Sequence, residues 1–311
     1  MERLQCTDLV SADALSLVKS QCMRLVVLSL TGLLLILTSC KVTKPETVAY
    51  EPATGETIYP FVYADTVGHT YLRALRDGYG LEEVIAGASS DRERALLLTH
   101  WARERWRGHG RTVPSAGDAL TILEEAESGR KFRCVEFATV ASAAMAAVGM
   151  PSRRVGLKKK TVETTLGGGG HMVAEVWLAD EQQWALVDGE FDLMPVLDGR
   201  ALNAVAFKRA LQEEQTVGFV SAAGPVKPSK QKRYLEFIER YLYYINARFD
   251  ERKLAPPYQP ITFTGKTQLM LVPKDAKEPT VFQRKRRMDQ FVFTRSVEDF
   301  YAPPHVATRS K

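Results

Sequence analysis

Cysteine is scarce in this chain and unevenly placed. Four occur in 311 residues, at Cys6, Cys22, Cys40 and Cys134, and everything beyond Cys40 holds one. A disulfide framework is therefore excluded for that stretch. Long apolar runs are also lacking: the longest, Leu25 to Leu37, falls short of the roughly 20 residues that span a bilayer. No aromatic-and-basic motif accompanies the mild net charge of +5, so nucleic acid is not an expected partner. No cluster of His, Cys and Asp has metal-ligand spacing. The glycines Gly167 to Gly170 do not open a helix, which argues against a phosphate cradle. What remains, 45% hydrophobic and 25% charged residues, is the balance of an ordinary globular protein with one large domain or two smaller ones.

The short apolar run follows Met23-Arg24 and ends in Leu37-Thr38-Ser39-Cys40. A positive start, an apolar centre and small residues before a cysteine have the form of a lipoprotein signal peptide, residues 1–39, with Cys40 as the acylated amino terminus. Met23 is the expected true start, because the mixed, polar residues before it do not suit an export signal. Residues 40–69, with their Pro, Thr and Gly, read as a membrane-proximal tether. The expected location is the cell envelope, the lipid holding the chain to a membrane surface. Lys41 in place of an aspartate favours the outer membrane of a two-membrane bacterium. The basic runs Lys158 to Lys160 and Arg284 to Arg287 are read as solvated faces or loops, with an anionic envelope surface as the alternative.

Removing Cys6, Cys22 and Cys40 from the mature chain leaves Cys134 as its lone thiol, either buried and inert or kept for reactivity. Its surroundings are informative. Cys134 to Val148 is almost continuously small or apolar and exits through Gly149 and Pro151, which predicts a buried helix beginning at the cysteine. Before it, Ser90-Asp91-Arg92-Glu93 has capping-box spacing and should open a helix running to about Arg105; another is expected from about Asp118 through Glu127. After it, Arg153 to Leu157, His171 to Leu178 and Trp184 to Asp188 read as strands, the last two as a hairpin. With a loop of two or four residues, odd positions of the first strand share a face with even positions of the second, which sets His171 close to Asp188. His100 and His109 lie beside Trp101 and Trp106, where packing, a solvated loop or a groove rim would each explain them. Tyr234 to Phe249 has apolar residues at Leu235, Ile238, Leu242 and Ile245 and predicts one helix. Ile261 to Thr264, Gln268 to Val272 and Gln290 to Thr294 read as strands.

Thiol-based acyl transfer needs a thiolate, a base that takes and returns its proton, and a group that orients the base. Cys134, His171 and Asp188 supply these types in order. The positive end of the helix dipole and a nearby imidazolium favour the thiolate, and the backbone N–H of Cys134 is an available oxyanion donor.

These residues resemble the transglutaminase-like superfamily. The segments that carry the resemblance are Cys134-Val135-Glu136-Phe137-Ala138, Gly149 to Gly156, His171 to Val176 and Trp184 to Asp188, within about Ala95 to Pro195. The resemblance implies an α+β, papain-like core, a nucleophile-bearing helix packed on an antiparallel sheet, over residues 70–225. Residues 226–311 would extend it or form a small second domain. It places Cys134 as nucleophile, His171 as base and Asp188 as orienting acid, and implies an amide or peptide hydrolase or acyltransferase. A peptide, protein or cell-wall peptide would be the substrate, and no cofactor is required. A catalytically silent binding or scaffolding lipoprotein is the alternative. Phe132 and Val173 depart from the glycine and aromatic that the family often has there, and Phe132 would narrow the cleft. Nothing resembles a calcium loop.

Overall fold

The computed structural model describes residues 47–52, 59–64, 69–252 and 259–304. The expected signal peptide, residues 1–39, and the expected lipid site Cys40 lie outside the described residues. Among those described, no helix is long and apolar enough to cross a membrane.

Helices α1 (Thr70–Gly78), α2 (Asp91–Arg103) and α3 (Ala119–Glu127) gather around α4 (Cys134–Ala147). Ser90 and Asp118 cap α2 and α3 by accepting the N–H groups of Glu93 and Thr121, satisfying donors that a helix start leaves unpaired. α4 starts differently. The Glu136 carboxylate reaches back to the Arg133 N–H at 3.0 Å and takes the Arg133 guanidinium at 2.6 Å. Its small residues are buried on every side, because helices pack on one flank and a sheet on the other.

The sheet begins with β1 (Ser152–Lys158), β2 (Gly170–Leu178) and β3 (Gln183–Val187). A small antiparallel sheet follows, formed by β4 (Met194–Leu197), β5 (Arg200–Ala201) and β6 (Gly218–Val220). Helices α5 (Ala204–Gln212) and α6 (Pro228–Ile238) come next. Then β7 (Tyr244–Arg248), β8 (Gln268–Leu271) and β9 (Phe291–Thr294) return to the first sheet, whose order is β9-β8-β7-β1-β2-β3. All its pairings are antiparallel except β8 with β9. Ala174, Val176, Leu178, Ala185 and Val187 face the α4 side. Val155, Leu157, Val173, Leu186, Ile245 and Ala247 face a second core with Phe207, Tyr234 and Phe300. The alternation is the period-2 pattern of a sheet covered on both faces.

Four sequence expectations need correction. The segment from Tyr234 is not one helix: α6 ends at Ile238, a single 3-10 turn spans Glu239–Tyr241, and Tyr244 begins β7. Tyr-Tyr-Ile-Asn-Ala suits a pleated strand buried on both faces, and its place between β1 and β8 overrides a helical spacing that the same residues also satisfy. Ile261 to Thr264 is no strand, carrying only an isolated bridge from Phe263 to Lys266. Part of the expected tether is docked: Glu51 N–H donates to the Arg295 carbonyl, Val62–Tyr63 pairs with Asp250–Glu251, and Tyr59 and Phe61 pack on Phe249. Those aromatics bury apolar area that a free spacer would leave in water.

The fourth correction concerns Lys158, which is buried rather than solvated. β7 and β9 cover it. Its ammonium meets the Asn246 Oδ1 and lies 5.5 Å from the Phe291 ring centroid, while Asn246 donates to Gln268 at 2.8 Å. Burial lowers the Lys158 pKa to about 7, as expected for an ammonium held in a low dielectric with no carboxylate partner among the described residues.

Candidate active site

Cys134 is the first residue of α4 and is partly exposed. His171 is the second residue of β2, paired with Leu157 of β1. Asp188 directly follows β3. The hairpin register pairs Leu178 with Gln183 and Glu175 with Leu186, so residues 179–182 form a loop of the even length that sets odd against even. His171 Nε2 meets Asp188 Oδ2 at 2.7 Å with both side chains buried. Cys134 Sγ, a His171 ring nitrogen and a Glu190 carboxylate oxygen lie within 4.8 Å of one another. With Nε2 engaged by Asp188, Nδ1 is the nitrogen left for the thiol.

Asp188 is held more firmly than an orienting group needs to be. Its Oδ1 accepts the N–H groups of Glu190 at 3.0 Å and Phe191 at 3.3 Å, and Oδ2 also accepts the Tyr234 hydroxyl at 3.0 Å. Burial and the Asp188 charge push the Tyr234 phenol well above its usual range, so it remains a donor. The Phe237, Tyr241 and Phe191 rings surround the imidazole at 5.0, 5.9 and 6.1 Å. Burial alone would lower the His171 pKa; the Asp188 charge and hydrogen bond, followed by Cys134, outweigh it and raise the pKa to about 10. The arrangement can hold an imidazolium beside a thiol.

Tyr234→Phe removes one of the hydrogen bonds that hold Asp188 while keeping the ring. The expected result is roughly a 5-fold slower reaction at Cys134 with little change in fold, since one hydroxyl hydrogen bond to Asp188 contributes about 1 kcal/mol to orientation. Alkylation kinetics at fixed pH read it directly.

His171 and Lys158 act oppositely on stability. A histidine raised to about 10 contributes stability that is complete below its unfolded value near 6.5 and is lost as pH rises through 10. A lysine lowered to about 7 opposes folding when protonated, an opposition relieved as pH climbs from 7 into the usual lysine range. The windows overlap and partly cancel. In Lys158→Met the loss due to His171 is uncovered, and urea midpoints should fall more steeply between pH 7 and 10 than in the parent. Parallel profiles would contradict the linkage.

Sequence reasoning missed Glu190 and Tyr234. Glu190 is two residues beyond Asp188 and is paired through Oε1 with His109 Nδ1 at 2.6 Å; burial and Asp188 raise its pKa. His109 is an exposed loop residue, one of the readings open for it, and its pairing with Glu190 sets it beside this site. His100 pairs with Asp192 at 2.9 Å, and the Ser221 hydroxyl donates to the same Asp192 oxygen. Phe132 does not narrow the cleft: it is fully buried, edge-on to Trp106 at 5.3 Å, with Gly110 and Thr112 pairing along its backbone. Val173 is likewise a core residue. The Trp106 ring stacks on Phe137 at 4.1 Å, one turn into α4, and its indole N–H is buried without a partner among the described residues.

A thiol opening a buried helix, beside a histidine and an aspartate brought together by an antiparallel hairpin, defines a transglutaminase-like α+β core. Residues 81–189 match the family model described as the transglutaminase-like superfamily, so this segment is similar to that superfamily. No curated protein matches the chain. Similar solved structures include a candidate cysteine protease from Cytophaga hutchinsonii, at 17% identity over 43% of this chain and 46% of that one, TM-score 0.29. A TGase aligns at 18% identity over 38% and 30% of the two chains, TM-score 0.27. Red sea bream transglutaminase aligns at 14% identity over 55% and 30%, TM-score 0.28. The chain spans less than half the length of each of these structures.

Proposed function

We propose that the protein is a thiol-dependent amide or peptide hydrolase or acyltransferase working through a thioester at Cys134. The observation that carries this reading is the buried His171, bonded to Asp188 on one side and facing Cys134 on the other. The Cys134 thiolate attacks the carbonyl carbon of an amide. The tetrahedral oxyanion is met by the Cys134 N–H at the start of α4. The imidazolium of His171 gives its proton to the leaving amine, and the imidazole then takes a proton from the water or amine that cleaves the thioester. Asp188 fixes the tautomer and stabilises the charged ring.

The proposed substrates are peptides, proteins or cell-wall peptides. We further propose that Cys40 carries a lipid and holds the domain at an envelope membrane, a reading supported by the sequence from Met23 to Cys40. Incubation with a peptide library followed by acid quench and mass analysis tests the chemistry: an acyl adduct should map to Cys134. Lipid labelling lost in Cys40→Ala tests the anchor.

A further inference from the structure

Glu190 has no part in the mechanism above, yet its carboxylate closes a triangle with the thiol and the imidazole. Cys134 sits on a helix start, His171 near a strand start and Glu190 beyond another strand's end, so three separate elements deliver a sulfur, a nitrogen and an oxygen to within 4.8 Å of one another. That is the donor set and approximate spread of a three-ligand transition-metal site with one open position. We propose that Cys134, His171 Nδ1 and Glu190 bind one zinc ion, which occupies the nucleophile and silences it reversibly.

Two features distinguish this cluster from a chance meeting of polar groups. Each of its two non-sulfur ligands has an outer partner on its far side: Asp188 on His171 Nε2 at 2.7 Å, and His109 on Glu190 Oε1 at 2.6 Å. Such carboxylate–histidine and histidine–carboxylate pairs are the outer contacts that orient ligands in zinc sites. The charges also balance, since a thiolate and a carboxylate together neutralise a divalent cation. That matters beside the Phe237, Tyr241 and Phe191 rings, where a net charge would be poorly solvated. The sulfur and nitrogen donors select zinc over calcium or magnesium, which require six or more oxygens. Coordination releases the protons held by the thiol and by Nδ1, and no redox step is involved.

The inference rests on the geometry of the three side chains and not on the catalytic reading, and the test separates the two. Chelator-treated full chain is titrated with zinc chloride while Cys134 alkylation is followed. Alkylation before zinc is added reports the thiol alone. The expected result is one zinc per chain and loss of alkylation that excess EDTA restores. Cobalt in place of zinc should give the near-ultraviolet thiolate-to-metal band, absent in Cys134→Ala. Glu190→Gln should weaken zinc binding at least about 10-fold, and His109→Ala, a change at an exposed loop residue, by a similar or smaller factor. Absence of saturable zinc binding in the parent overturns the proposal. So does zinc affinity unchanged in both Glu190→Gln and His109→Ala, which would reduce the site to a cysteine–histidine pair.

Discussion

Cys134→Ala is expected to reduce acyl transfer to background, and His171→Ala to lower kcat by a comparable factor, on the order of 10⁴ or more. The double variant should then be scarcely slower than either single one. The reason lies in the mechanism: without the thiol the base has no proton to take, and without the base the thiol has no partner to hold it as thiolate. Asp188→Asn belongs to the same series but acts differently. The amide oxygen introduced by this change can still accept hydrogen bonds, but the charge that helps raise His171 to about 10 is gone. A loss of about 10²- to 10⁴-fold is expected, with the fold preserved. Full additivity of the Cys134 and His171 effects would show that the two side chains do not act as a unit.

The largest effect on stability is expected at Glu175→Leu. Arg153 and Glu175 are both fully buried, joined through Nε and Nη2 to Oε2 at 3.1 and 2.8 Å. Arg153 also donates to the Phe300 carbonyl at 2.9 Å and stacks on Trp184 and Phe300 at 4.4 and 4.6 Å from the ring centroids. Glu175 Oε1 accepts from the Ala204 N–H at 3.0 Å and the Tyr301 hydroxyl at 2.7 Å. This pair therefore ties β1 and β2 to the start of α5 and to the last described turn of the chain. Removing Glu175 alone strands a guanidinium in an aromatic box and should cost about 3–5 kcal/mol, a large share of a typical domain's stability. Adding Arg153→Met should restore part of that. About 1–3 kcal/mol should remain lost, because the Ala204 and Tyr301 donors would still lack an acceptor. Urea midpoints of the two single variants and the double variant read the coupling.

Much of the site was legible because its geometry is local or periodic. The helix start at Cys134 followed from an apolar run with a Gly-then-Pro exit, and the approach of His171 to Asp188 from the parity of a hairpin only 17 residues deep. What escaped depends on distant parts of the chain. Glu190 meets His109 from 81 residues away, and Tyr234 reaches Asp188 across 46; no periodicity encodes either. Lys158 looked like one of three surface lysines because the strands that bury it come later, Asn246 being 88 residues on. Leu235, Ile238, Leu242 and Ile245 satisfied a helical period up to the point where a vacant sheet position beside β1 claimed Tyr244 onward. α1 and α5 were not read in advance, although Asn203 does cap α5 by accepting the Ala206 N–H at 2.8 Å.

The central claim is that His171 holds Cys134 ready to react. It is tested most directly by the rate of Cys134 alkylation with iodoacetamide across pH 5 to 10, in the metal-free parent and in His171→Ala. The account predicts that the parent reacts faster than the variant at neutral pH by at least about 10-fold, and that the gap closes toward pH 10 as the imidazolium is lost. Superimposable profiles would contradict it.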